Sequence, residues 1–183
     1  MEEKAMAETQ NVLLYLVQSL DGYIAEHDGG MTWLQQLNTT EADNAFQNFY
    51  NRVDTVIMGR KTYTRAIQRA GSYPYADKQS FVFSTTMHDA SERATVVAGD
   101  VVEFVRQLKQ KKGGDIWLVG GPDLFAKLLK AHEIDKLIIS IAPVLLGDGT
   151  PLLRTNLKDV PLNLMKTKKI GRLVELTYAV EEQ

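Results

Sequence analysis

The chain has 183 residues, with 21 Lys and Arg against 23 Asp and Glu, a formal charge of −2. Hydrophobic residues at 44% and charged residues at 24% suit one globular domain able to bury its own core. The balanced charge argues against a duplex nucleic-acid binder, which carries a basic surplus. The absence of cysteine excludes disulfides, thiolate zinc sites and cysteine nucleophiles.

Residues 1–10 are acidic and polar and read as a loose leader with no signal-peptide pattern, followed by a single domain over residues 11–183. No apolar stretch approaches the roughly 20 residues needed to span a bilayer. The expectation is a soluble, cytoplasmic protein with neither a membrane nor a nucleic-acid partner. The apolar run Asn11–Gln18 predicts a buried strand, and the segment from Ser19 to Trp33, broken at Asp21-Gly22 and Asp28-Gly29-Gly30, reads mostly as loop. Thr40 is placed as the cap of a helix whose apolar face is Ala42, Ala45, Phe46 and Phe49. A β-branched strand follows over Asp54–Met58, then a helix from Lys61 to Gln68 and a loop from Gly71 to Asp77.

Strands are predicted over Gln79–Ser84 and Ala94–Ala98, and a helix over Val101–Lys111 stopped by Gly113-Gly114. The strand Asp115–Val119 turns through Gly120-Gly121-Pro122 into a helix ending at Lys130, with Asp123 its candidate cap. Lys136–Ala142 is a further strand, and Pro143–Leu153 a punctuated loop. Leu162–Ile170 and Leu173–Val180 read as antiparallel strands around Gly171. The order predicts an α/β domain, mostly parallel in its central sheet, with an antiparallel edge.

Common catalytic signatures are missing. His27, His88 and His132 lie far apart with no ligand spacing, so no metal site is expected. No nucleophile elbow, P-loop or Rossmann glycine fingerprint occurs. What remains is a set of strand ends. Met58-Gly59-Arg60-Lys61-Thr62-Tyr63 runs a strand into a helix whose first turn carries two cations and a hydroxyl, a place suited to phosphate. Taken alone it is also an ordinary basic turn. Ser84-Thr85-Thr86 puts hydroxyls at the next strand end, as a ligand contact or a simple cap. Val119-Gly120-Gly121-Pro122-Asp123 brings free backbone N–H groups to another helix start, or is merely a connector. In Ser19-Leu20-Asp21-Gly22-Tyr23-Ile24-Ala25, Asp21 suits a turn, while Ile24 and Ala25 could face a flat ring. Trp33 either covers a pocket or anchors its loop in the core.

In order, SLDGYIA (Ser19–Ala25), MGRKTY (Met58–Tyr63), VFST (Val82–Thr85), VGGPDLF (Val119–Phe125) and PVLLGDGTPLL (Pro143–Leu153) resemble the dihydrofolate reductase-like family. The nearer likeness is to its branch containing the reductase domain of bacterial riboflavin biosynthesis. That resemblance implies a three-layer αβα fold with a mixed sheet, and NADPH as cofactor. It places Gly59, Arg60, Lys61, Thr62, Ser84 and Thr85 around the adenosine 2′-phosphate. Gly120, Gly121, Pro122, Asp123 and Leu124 would hold the pyrophosphate, with a cis Gly120–Gly121 peptide. Val17, Ile24, Ala25 and Phe125 would lie near the nicotinamide, and Tyr23 and Trp33 near a substrate. The implied activity is hydride transfer to a small heterocyclic substrate, as in 5-amino-6-(5-phosphoribosylamino)uracil reductase or dihydrofolate reductase, by a homodimer. The sequence departs from dihydrofolate reductases after Trp33, where Leu34 to Asn38 hold no carboxylate and the first acids are Glu41 and Asp43. A non-catalytic NADPH-binding or sensor protein is the alternative from a different class.

Overall fold

The computed structural model describes residues 10–90, 93–153 and 159–181. Residues 1–9 of the expected leader lie outside them, and Gln10, its last residue, is buried. Ten strands and five helices are formed by the described residues. In chain order they are β1 (Val12–Ser19), β2 (Tyr23–Ala25), α1 (Thr32–Gln35), α2 (Thr40–Tyr50), β3 (Val53–Gly59), α3 (Arg60–Ala70), β4 (Gln79–Phe83) and β5 (Thr95–Val97). Then follow α4 (Val101–Lys109), β6 (Asp115–Gly120), α5 (Pro122–Lys130), β7 (Lys136–Ala142), β8 (Thr150–Pro151), β9 (Leu162–Ile170) and β10 (Leu173–Val180).

Eight strands form one sheet in the order β5-β4-β3-β6-β1-β7-β10-β9. The first six run parallel, whereas β10 is antiparallel to both β7 and β9. The mixed α/β architecture therefore matches the expectation. The parallel strands are apolar without strict alternation because both sheet faces are covered. On one face Val105 and Leu108 of α4 and Leu128 and Leu129 of α5 pack on Val12, Leu14, Ile57 and Leu118. On the other, Phe49 of α2 and Tyr63 of α3 pack on Leu13, Val56, Met58 and Trp117. Tyr15 and Phe49 stack at 4.2 Å between centroids, and Trp117 meets Phe49 edge-on at 5.3 Å.

Several local expectations are corrected. The segment from Ser19 to Trp33 is mostly loop, as expected, but it is not loop throughout: β2 forms there by pairing with β8 inside the expected 143–153 loop, and Thr32 starts a short helix. Both strands are too short to show periodicity, so the pairing is set by tertiary contact. The cap of α2 is Thr39, whose Oγ1 accepts from the Ala42 N–H at 3.2 Å, while Thr40 is already helical. Helix α4 ends at Lys109, before the glycine pair, and its N-terminus is closed by Asp100, which accepts from the Val102 N–H at 2.7 Å. Asp123 does not cap α5: the capping position is Gly121, with Pro122 as the first helical residue.

Candidate active site

The carboxyl ends of β1, β3, β4 and β6 open on one side of the sheet, where open α/β sheets bind ligands. Two adjoining cavities lie there. One, of about 560 Å³, is lined by Gly59 to Thr62, Ser84 to Thr86 and Gly121 to Leu124. The other, of about 370 Å³, is lined by Val17, Ile24, Ala25, Gly120 and Phe125 among others. Thr62, Arg65, Gly121, Pro122 and Thr150 line both, so the two make one continuous trough.

In the first cavity, α3 begins directly at the end of β3. Its capping residue, Gly59, has no side chain, and its first turn has no acid. The first amides of a helix lack intrahelical acceptors and form the positive end of the macrodipole. Arg60 and Lys61 add two exposed cations there, and neither has an acidic partner among the described residues. Cations at this pole are unfavourable unless an anion is bound, so the turn is electrostatically incomplete. Ser84 is partly spent: its Oγ accepts from the Thr86 N–H at 3.2 Å and the Met87 N–H at 3.0 Å, closing the turn after β4.

Between the cavities, Gly120 and Gly121 take φ of +152° and +109°, and among the described residues no peptide is cis. The expected cis Gly120–Gly121 bond is therefore absent. The chain passes from β6 into α5 through left-handed backbone that glycine adopts without a Cβ penalty. No side chain caps α5, but Asp123 in its first turn already places a carboxylate at that dipole. The charge at α5 is thus answered within the chain, unlike that at α3.

The second cavity is apolar, with Val17, Ile24, Ala25 and Phe125 on its walls. No Asp, Glu or His is among the residues lining it. Its phenols do not titrate near neutrality, since burial pushes Tyr15 and Tyr75 up to about 12. Tyr23 and Trp33 are not among the residues that line either cavity. Tyr23 pairs with Pro151, and Trp33 is buried beside Leu37, Ala142 and Leu173. Asp21 ties two loops together: it accepts from the Gly147 N–H at 2.8 Å, the Leu146 N–H at 3.1 Å and the Ser19 hydroxyl at 2.5 Å. It positions the 143–149 loop beside the trough. Sequence reasoning missed Arg65, Arg69, Tyr75 and Thr150, which the structure adds to the lining. The predicted helix stopped at Gln68, whereas α3 runs on to Ala70, so Arg69 fell outside it and its four-residue spacing from Arg65 was not available as a signal.

Sheet order, two helical layers and a trough at the parallel strand ends define a dihydrofolate reductase-like fold. The chain belongs to the RibD C-terminal domain family, whose model matches residues 10–176. It is 38% identical over 170 residues to the uncharacterised Bacillus subtilis protein YwjB, covering 92% of this chain and 97% of that one. A crystal structure from Shewanella sp. PV-4, provisionally ascribed to riboflavin biosynthesis, superposes with a TM-score of 0.84 at 28% identity, covering 94% of this chain and all of that one. Enterococcus faecalis dihydrofolate reductase complexed with NADP(H) shares the fold, with a TM-score of 0.62 at 15% identity over 94% of this chain and 97% of that one. The family model shows membership, and the 15% likeness to dihydrofolate reductase shows the shared fold. Among the described residues no helix is long and apolar enough to cross a membrane.

Proposed function

We propose that the chain is an NADPH-dependent reductase that delivers hydride to a small heterocyclic substrate. The observation that carries this is the uncompensated positive charge at the start of α3, opening onto an apolar cavity through the Gly120-Gly121 turn. An adenosine 2′-phosphate is a dianion near neutral pH, and Arg60, Lys61, Thr62 and Thr85 offer the charge and donors to hold it. No acid stands at that turn to select a free 2′-hydroxyl, as sites for NAD do. The first-turn amides of α5 would hold the pyrophosphate, with the exposed Asp123 beside it on the same cavity lining. Val17, Ile24, Ala25 and Phe125 would seat the nicotinamide, whose C4 supplies the hydride when the cofactor is bound. The apolar walls exclude water, and the trough sets the two reactants side by side, the main contribution a protein makes to this chemistry. No Asp, Glu or His lines the cavity, so no proton donor is assigned among its side chains.

Titration of cofactor fluorescence tests the reading. Arg60→Ala is expected to weaken NADPH at least about tenfold, the size of one lost charge-assisted pair, and to leave NADH nearly unchanged. Equal NADPH affinity in wild type and variant would falsify the phosphate assignment. The acid-free cavity also favours a second reading, a binding or sensor protein that never turns over. NADPH binding without oxidation across pterin and pyrimidine substrates would select it. We further propose that the chain acts in the cytoplasm as a homodimer, joined at the exposed Leu162, Leu164 and Met165 of β9 and Val174 of β10.

A further inference from the structure

We propose that the groove between α2 and the outer strands β7, β10 and β9 binds a phosphorylated polyol, a ligand with one phosphate ester and several free hydroxyls. The site is separate from the trough and stands whether or not the reductase reading does. Phe49 of α2 covers the sheet as far as Leu13 of β1 and Ile138 of β7. Beyond it the sheet continues through β10 and β9, and the step between helix and strands leaves a cavity of about 470 Å³. That is the size of a small-molecule site. Arg52 directly precedes β3 and Lys136 opens β7, so the cavity lies toward the amino ends of the parallel strands, the reverse of the trough. Tyr15 alone lines both this cavity and the apolar one.

The lining divides into two chemistries. Arg52, Lys136, Lys166 and Lys168 gather positive charge in one concavity of a chain whose formal charge is −2. Residues two apart on a strand share a face, so Lys166 and Lys168 point the same way, opposite Thr177 and Glu175 of β10. Among the described residues no carboxylate lies within ion-pair distance of any of these lysines, while Arg52 turns its Nε to Asp115 at 3.5 Å. Lysine ammoniums are point charges on flexible stems, a match for phosphate that needs no planar fork. The rest of the polar lining is of another kind: the Tyr15 phenol, the Thr177 hydroxyl, the Asn48 amide and the Glu175 carboxylate. None of these side chains has a hydrogen-bond partner among the described residues. Burial first, and the Glu175 charge second, push the Tyr15 phenol up to about 12, so it stays a protonated donor at neutral pH. Glu175 would repel a bare polyanion but accepts from a hydroxyl. One carboxylate acceptor among neutral donors reads a polyol, and the cations beside it hold the phosphate. Lysines that merely blunt an edge strand need no such floor.

The test is calorimetric titration of the full chain with glycerol 3-phosphate, ribose 5-phosphate and glucose 6-phosphate, against glucose and inorganic phosphate. At least one ester is expected to bind about tenfold tighter than either reference, because only an ester engages both halves of the lining. K166Q/K168Q is expected to weaken that ester at least about tenfold. Glu175→Ala, which removes the acceptor and its repulsion together, is expected to close most of the gap between ester and inorganic phosphate. R60A, at the opposite ends of the strands, is expected to keep the preference. Lys166 and Lys168 are exposed, so the double variant keeps its packing, and Glu175→Ala carries the test if thermal melts show otherwise. Inorganic phosphate binding as tightly as every ester marks a patch of charge without a polyol site and overturns the proposal. So does an ester affinity unchanged in K166Q/K168Q, or a gap undiminished in Glu175→Ala. An ester affinity lost in R60A places the ester in the trough and overturns it equally.

Discussion

Tyr15 shows how one side chain links the core to pH. Its ring stacks on Phe49, and its phenol is pushed from 10.0 to about 12, first by burial and then by the charge of Glu175. Tyr75 is raised to about 12 as well, mainly by burial. A raised value means that the folded state holds the proton more tightly than the unfolded chain. The stability from both groups is full below about pH 10 and is lost as pH rises toward 12. Urea unfolding midpoints should fall across that window, and Tyr15→Phe should make the fall shallower. A variant profile as steep as the wild type would mean that Tyr15 contributes nothing to the linkage. Asp21 works in the opposite sense. The Ser19 hydroxyl, then the Gly147 amide, hold its carboxyl below the ordinary 3.8. Its contribution is present above that value and is lost as pH falls through the folded one.

At the scale of elements, the two helices that open on the trough differ in their first turns. α3 has no acid and α5 has Asp123. Of the two, α3 therefore carries the larger unanswered positive charge. The turn into α5 depends instead on backbone freedom, because Gly121 stands at φ +109°, where an added Cβ would meet Gly59 and Leu124 only at ordinary contact distance. Space is not limiting there; conformation is. Gly121→Ala should cost about 1–3 kcal/mol of stability in urea melts, the usual strain of a side chain in that region, and should weaken NADPH by displacing the α5 amides. Unchanged stability would show that the turn relaxes to another conformation.

The whole molecule is asymmetric in what it covers. The six parallel strands are sandwiched between helices, whereas every residue of β9 from Leu162 to Lys169 is exposed. Leu164 and Met165 are 51% and 57% exposed on an edge strand, a feature that isolated chains usually blunt with charge or short length. Lys166, Lys168 and Lys169 charge only its far half. In the proposed homodimer the apolar half would meet a second copy. Leu164→Lys should then weaken dimerisation at least tenfold in sedimentation equilibrium while leaving the circular dichroism spectrum intact. A wild-type chain that sediments as a monomer removes the proposal.

By itself the amino-acid order determined the α/β alternation, the antiparallel pair at the C-terminus and the strand-end motifs of the trough. Each is written in contiguous residues through periodicity, caps and glycine turns, so local physics is enough to read it. The cationic start of α3 was legible for the same reason, since Gly59, Arg60 and Lys61 are neighbours. Only the tertiary structure decided that β2 pairs with β8, that Asp21 reaches amides 125 and 126 residues away, and that Trp33 packs into the core. It alone brought Arg65 and Arg69 under the Gly29 turn. These contacts join segments far apart in the chain, and their energies depend on distances that no local pattern encodes.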